Sequence, residues 1–160
     1  MMSEEEFLKL IDQHQGIIHK ICRLYRDGKE DREDLFQEIV FQLWKSVGGF
    51  NDRSKFSTWM YKVALSTAIA VYRKKRPSIV FTGHLPDYSE SSSDASDQSD
   101  RLLQALKMLR DEDKALIVLY LEDLSYKEIA EISGISENHV GVKLNRIKTS
   151  IQKIIKNSHE

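Results

Sequence analysis

A single cysteine, Cys22, stands in the 160-residue chain. An internal disulfide is therefore excluded, and no cysteine-based metal framework is available. Only two prolines occur, Pro77 and Pro86, and both fall within residues 77–100. Either side of that stretch the chain is free of the strongest helix breaker. No apolar run approaches the roughly 20 residues of a membrane span. The first residues, MMSEEE, are acidic where a signal peptide is basic, so the expectation is a cytoplasmic protein without membrane insertion. Strand-like alternation and internal repeats are missing as well. Apolar residues make up 41% of the chain, enough for globular cores.

The net charge of −1 hides an uneven distribution. Residues 1–76 carry 14 basic and 11 acidic side chains, residues 77–100 none and five, and residues 101–160 ten and nine. Any binding of a polyanion must rest on local patches rather than on overall charge.

Helical periodicity dominates what is present. Ser3 and Glu6 have capping-box spacing. Phe7, Leu10, Ile11, His14, Ile17, Ile18, Ile21, Leu24 and Tyr25 then recur at helical intervals up to Gly28. A second helix is expected from about Asp31 to Val47, stopping at Gly48-Gly49, and a third from near Ser57 to Arg76, stopping before Pro77. Three helices with short connections make a bundle. Residues 77–100, with seven serines, read as an acidic tether that is most flexible from Tyr88 to Asp100. A helix is expected from near Asp100 to Arg110 and another from Glu112 to Leu121, capped by Asp111. The fold class is all-α: two small helical domains, 1–76 and 101–160, joined by a flexible linker, 77–100.

The most informative stretch is LSYKEIAEISGISENHVGVKLNR, Leu124 to Arg146. Ser125 and Glu128 form a second capping box. Gly134 stands where the chain must reverse in a left-handed conformation. Ser136 can cap a further helix. Along that helix, at roughly 100° per residue, Val140, Leu144, Ile147, Ile151 and Ile154 share the inward stripe. Asn138, Val142, Asn145 and Arg146 point away, and Lys143 and Lys148 flank them. From Asn138 to Lys156 there are five cations and no carboxylate. This is the helix-turn-helix pattern, whose second helix enters the DNA major groove. Val142 is a poor surface residue in water but suits a thymine methyl group. The plainer alternative is a solvated amphipathic helix closing a small bundle.

Two features of the first domain stand out. On the second helix Leu35, Ile39 and Leu43 define a core stripe, while Asp34, Gln37, Glu38, Phe41 and Lys45 face away, with Trp44 at the margin. Phe41 ringed by polar groups fits a partner-binding face; a helix buried on two sides fits as well. Next comes FNDRSKFSTWMYKVALSTAIAVYRKKR, a polar loop and an aromatic-rich helix ending in four cations. Aromatics interleaved with cations suit unpaired bases. The spacing of Trp59 with Phe56, Met60 and Val63 favours a core position over a stacking platform, and a closing basic run is in most proteins a solvated helix end.

DREDLFQEIVFQLWKSVGGFNDRSKFSTWMYKVA resembles the second conserved region of bacterial sigma factors of the extracytoplasmic-function group. LSYKEIAEISGISENHVGVKLNRIK resembles their fourth region. The two occur in the family's order, and the resemblance spans nearly the whole chain. It implies a transcription initiation factor that binds core RNA polymerase, directs it to promoters and helps open the −10 DNA. Asp34, Gln37, Glu38 and Phe41 match the contact face for the polymerase clamp. Asn51, Asp52, Arg53, Ser54 and Lys55 match the loop that captures a flipped −10 base, and the following helix, with Ser66, Arg73 and Lys74, matches the −10 reader. Ser136, Asn138, His139, Val142, Lys143, Asn145, Arg146 and Lys148 are the candidate −35 contacts. The family often has an Asn where Ser66 stands, a basic or polar residue at Leu65, and more polar residues at Gly141 and Val142. An anti-sigma factor is a further partner that the resemblance suggests.

A free-standing DNA-binding regulator would explain the second domain but leave the Phe41 face and the Asn51–Lys55 loop unused. An enzyme is disfavoured: there is no phosphate-binding glycine loop, nucleophile elbow or carboxylate constellation. His14 and His19 diverge on a helix. His19 and Cys22 share a face, but two ligands fall short of a structural zinc site. No metal and no cofactor is expected.

Overall fold

The computed structural model describes residues 2–50, 55–75 and 94–158. Among them it contains seven α-helices and no strand. They are α1 (Glu4–Tyr25), α2 (Lys29–Ser46), α3 (Phe56–Lys75), α4 (Asp94–Lys107), α5 (Asp111–Leu121), α6 (Tyr126–Ser133) and α7 (Glu137–Ser158), with a 3₁₀ turn, Val47–Gly49, after α2. The chain divides into two compact units, Met1–Tyr88 and Ser89–Glu160.

In the first unit α1, α2 and α3 pack against one another. The Ser3 hydroxyl accepts from the Glu6 amide at 3.1 Å, and the Glu6 carboxylate accepts from the Ser3 amide at 3.0 Å. Two orphan donors at the start of α1 are thereby satisfied, and these bonds hold the Glu6 carboxyl below its ordinary pKa. Phe7, Ile11, Ile18, Ile21 and Leu24 meet Leu35, Ile39 and Leu43 of α2 and Met60, Ala64 and Ala68 of α3 in the core. The alanines let α3 approach closely. Arg26 fastens the corner between α1 and α2, donating to the carbonyls of Tyr25 at 2.7 Å and Ala68 at 3.4 Å. Gly48-Gly49 does not end α2 in a loop; the chain tightens into the 3₁₀ turn, in which the Phe50 amide donates to the Val47 carbonyl at 3.1 Å.

The second unit packs α4, α5 and α6 around α7. Val140, Leu144, Ile147 and Ile151 of α7 are buried with Ala105 and Leu106 of α4, Leu116 and Leu119 of α5, and Ile129 of α6. Two expectations are corrected. Helix α4 begins at Asp94, so the flexible tether does not extend to Asp100. No glycine or proline lies between residues 88 and 100, and once Leu106 nucleates the helix, extension towards the N-terminus costs little per residue. Asp111 is the first helical residue of α5 rather than its cap, which is Arg110 without a side-chain bond. Asp111 instead stands 4.0 Å from the Lys114 ammonium, one turn on.

Candidate functional site

The sequence of α2 places a core stripe on one side and leaves the other to solvent. Asp34, Gln37 and Phe41 are exposed and Glu38 is half-buried. Phe41 is 55% exposed and Trp44 41%. A helix buried on two sides is therefore ruled out. The Gln42 amide donates to the Glu38 carboxylate at 2.9 Å, which orients that charge along the helix. The Lys45 ammonium lies 5.8 Å from the Phe41 ring centroid, at the outer limit of a cation–π contact. Trp44 is anchored by the buried Phe7, with ring centroids 4.9 Å apart. The face thus offers one exposed and one anchored aromatic among polar groups, a geometry suited to contact with another protein.

Of the loop expected to contact DNA, Asn51, Asp52, Arg53 and Ser54 lie outside the described residues. Both flanks are described. Phe50, Phe56 and Trp59 form a ring cluster with centroids 5.4 to 5.6 Å apart, and His14 of α1 adds a fourth ring 5.4 Å from Phe56. Aromatic pairs at such distances attract beyond their buried area, so the cluster pins the two ends of the loop together. Trp59 is half-buried within it; Met60, not Trp59, occupies the core position. The Lys55 carbonyl accepts from the Trp59 amide at 3.1 Å, and its side chain is exposed. Ser66 is exposed on α3, whereas Leu65 is buried and belongs to the core. Arg73 and Lys74 lie in the last turns of α3, with their side chains outside the described residues.

One feature of this unit escaped the sequence. An open groove of about 750 Å³ runs between α1 and α2, lined by His19, Lys20, Arg23, Lys29, Arg32 and Phe36 among others. Its cations come as i,i+3 pairs from two helices, and nothing in the one-dimensional pattern says that the pairs converge. Cys22 also lines it, yet the residue is buried, and burial pushes the thiol pKa up to about 11 against the downward pull of Arg26 and Arg32. His19 stacks on Phe36, 4.6 Å between centroids. Among the described residues no three His, Cys, Asp or Glu side chains gather as metal ligands.

In the second unit the Ser125 hydroxyl accepts from the Glu128 amide at 3.1 Å and the Glu128 carboxylate from the Ser125 amide at 2.9 Å. Gly134 ends α6 in the left-handed region, φ 81°, and its amide donates to the Ala130 carbonyl at 2.8 Å. The Ser136 hydroxyl accepts from the His139 amide at 3.1 Å, so Ser136 starts α7 as a cap. Together these bonds set α7 against α6. Asn138, His139, Val142, Asn145 and Arg146 are exposed, and Lys143 is half-buried. Lys148 is drawn back to α5: its ammonium donates to the Tyr120 hydroxyl at 3.0 Å and lies 4.1 Å from that ring's centroid. That hydrogen bond is the main reason its pKa is raised. Tyr126 fills the flank beside Gly141; a Cβ at 141 would stand 3.4 Å from its Cε2 atom. No spacing rule announces either tyrosine, since both come from earlier helices.

Comparison with known proteins completes these findings. Residues 10–77 match the family model for Sigma-70 region 2, and residues 99–151 that for Sigma-70, region 4. The ECF RNA polymerase sigma factor SigW of Bacillus subtilis is 26% identical over 166 residues, covering 94% of this chain and 89% of SigW. The RNA polymerase sigma factor SigV of the same organism is 28% identical over 137 residues, covering 85% and 82%. Two solved structures share the fold. One is the sigma factor RpoE in complex with the anti-sigma factor NepR from Bartonella quintana, with a TM-score of 0.74, 18% identity and coverage of 95% of this chain and 98% of that one. The other is CnrH in complex with the cytosolic domain of CnrY, with a TM-score of 0.71, 17% identity and coverage of 97% and 90%. Among the described residues no helix is long and apolar enough to cross a membrane.

Proposed function

The chain belongs to the sigma-70 family, in its extracytoplasmic-function group, and we propose that it binds core RNA polymerase in the cytoplasm, carries it to particular promoters and helps open the −10 DNA. It does so by binding alone, without a catalytic centre, metal or cofactor of its own. Asp34, Gln37, Glu38 and Phe41 dock on the polymerase clamp. Asn51, Asp52, Arg53, Ser54 and Lys55 hold an extruded −10 base, with Ser66, Arg73 and Lys74 along the adjoining helix. Extruding a base costs a few kcal/mol of unstacking, which the contacts of the loop and of the polymerase must offset. In the second unit, Asn138, His139, Val142 and Asn145 face the −35 bases, and Lys143 and Arg146 meet phosphates. Ser136 and Lys148 act on this surface indirectly, one by capping α7 and the other by tying it to α5.

The observation that carries the reading is the exposure of Phe41 on α2. A DNA-binding regulator working alone has no use for a free phenyl group on the other unit, whereas a subunit that must seat itself on a polymerase does. A segregated helix-turn-helix with a cationic outer face supports the DNA-binding half. Because RpoE was crystallised with an anti-sigma factor, a protein inhibitor of this chain is a further proposed partner.

Transcription of genomic DNA by core polymerase, with and without the protein, followed by mapping of RNA 5′ ends, tests the proposal. New start sites that share two upstream elements are expected only when both components are present. Specific duplex binding by the protein alone, with no new starts, would assign it to free-standing regulators instead.

A further inference from the structure

We propose that the open groove between α1 and α2 is a binding site for a free nucleotide, a base carrying two or three phosphates. Apart from Gln37, none of the residues lining the groove belongs to the polymerase or DNA contacts proposed above.

Two helical stripes build the groove. Gly16, His19, Lys20 and Arg23 follow one another at one-turn spacing on α1, and Lys29, Arg32, Glu33 and Phe36 do the same on α2. The ring contacts Phe7–Trp44 and His19–Phe36 show that the two helices run antiparallel. That register sorts the groove along its length. Arg23, Lys29 and Arg32 stand at the end nearest the connection between the helices. The Arg32 guanidinium donates to the Asp27 carbonyl at 2.8 Å, which fixes it at that end. Midway, the half-buried Phe36 and the exposed His19 stack, with centroids 4.6 Å apart and planes 30° apart. At the far end Gly16 leaves bare backbone. Glycine weakens the interior of a helix, yet a Cβ at Gly16 would meet nothing within 4 Å. Packing inside the protein therefore does not call for this glycine, whereas a molecule lying along the groove does.

A nucleotide matches this order. Its phosphates meet the cationic end, where guanidinium groups bind them with charge-assisted hydrogen bonds. Four cations against one carboxylate, Glu33, line the groove, an excess suited to a di- or triphosphate. The base stacks on the ring pair and extends over Gly16. Glu33 and Gln37 supply hydrogen-bonding groups for sugar hydroxyls and base edges. The volume of about 750 Å³ suits a small molecule of this size. A docked protein helix fits less well: its apolar stripe needs an apolar groove, and among the described residues no Leu, Ile, Val or Met lines this one.

Calorimetric titration of the full-length chain with ATP and with GTP, in EDTA so that no metal ion shields the phosphates, tests the site. At least one of the two should bind, at one molecule per chain. Inorganic triphosphate, which lacks the base, should bind at least about fivefold more weakly. Adenosine or guanosine, which lacks the phosphates, should bind about tenfold more weakly or worse. Arg23→Gln combined with Arg32→Gln should lower nucleotide affinity about tenfold. Phe36→Leu should remove the preference for the nucleotide over inorganic triphosphate. Gly16→Leu should abolish binding while the thermal midpoint holds or rises, because leucine favours a helix more than glycine does; loss of binding in that variant is then not loss of fold. Failure of both nucleotides to bind overturns the proposal. So does binding that survives Gly16→Leu, which places the nucleotide elsewhere. Inorganic triphosphate binding as tightly as the nucleotide would reduce the groove to a plain anion patch. Displacement of the nucleotide by a short single-stranded oligonucleotide that binds more tightly, and is itself lost in Gly16→Leu, would assign the groove to nucleic acid instead.

Discussion

The Lys148 ammonium lies over the Tyr120 ring, 4.1 Å from its centroid, and donates to its hydroxyl at 3.0 Å. A cation on the outer flank of α7 is thus held by the protein itself, joining α7 to α5. Removing it should affect stability more than DNA affinity. Lys148→Met is expected to lower the thermal midpoint, and Tyr120→Phe, which keeps the ring but loses the hydroxyl, to lower it less. The lysine pKa is raised, chiefly by the Tyr120 hydrogen bond. A raised folded-state pKa stabilises fully below the ordinary lysine value and is lost as pH climbs through the folded-state value. The difference between wild type and Lys148→Met should therefore hold through neutral pH and close only in strong alkali. Thermal melts between pH 7 and pH 11 check this.

Arg146 is exposed on α7. Arg146→Ala should weaken holoenzyme binding almost uniformly across −35 variants and reduce the salt slope by about one unit. Asn138→Ala should instead change which bases are preferred, by about 1–3 kcal/mol at the affected position. Competition binding at two salt concentrations separates the two behaviours; a base-specific effect of Arg146→Ala would reverse the assignment.

Phe41 is 55% exposed, so Phe41→Ala combined with Glu38→Lys should leave the circular dichroism of the protein intact. Association with core polymerase should fall at least tenfold, as expected when an exposed aromatic anchor is removed and a neighbouring charge reversed. Co-elution of the double variant with core polymerase at the wild-type level would remove this face from the proposed function.

Two glycines of the second unit should respond with opposite signs. Gly134 holds φ at 81°, where a Cβ is strained, so Gly134→Ala should cost about 1–2 kcal/mol. Gly141 is helical, and a Cβ there meets the Tyr126 ring at ordinary contact distance. Gly141→Ala should stabilise by about 0.5–1 kcal/mol through helix propensity. Urea denaturation of the two variants reads both signs directly.

Burial holds the Cys22 thiol pKa at about 11. An acid whose folded-state pKa is raised contributes stability below its unfolded value and loses it as pH rises. Stability should therefore drop from about pH 9 to about pH 11, and Cys22→Ala should flatten that part of the curve. At neutral pH the native thiol should react with a disulfide reagent far more slowly than the unfolded one, since the thiolate is the reactive form.

Local rules were enough for the elements that rest on local physics. The capping boxes at Ser3–Glu6 and Ser125–Glu128, the reversal at Gly134 and the buried stripe of α7 were legible because each depends on residues within a turn or two of one another. The two helical domains and the outward face of α2 followed from the same periodicity. Tertiary structure decided whatever depends on a partner from another helix. The fate of Phe41, free rather than covered, was settled by how α1 and α3 pack on α2. Lys148 was withdrawn by Tyr120, 28 positions earlier, and Gly141 received its neighbour from Tyr126. Trp59 was claimed by Phe50 and Phe56 at the base of a loop instead of by the core. Periodicity tells a side chain which way to point along its own helix; only the packed chain supplies what it meets there.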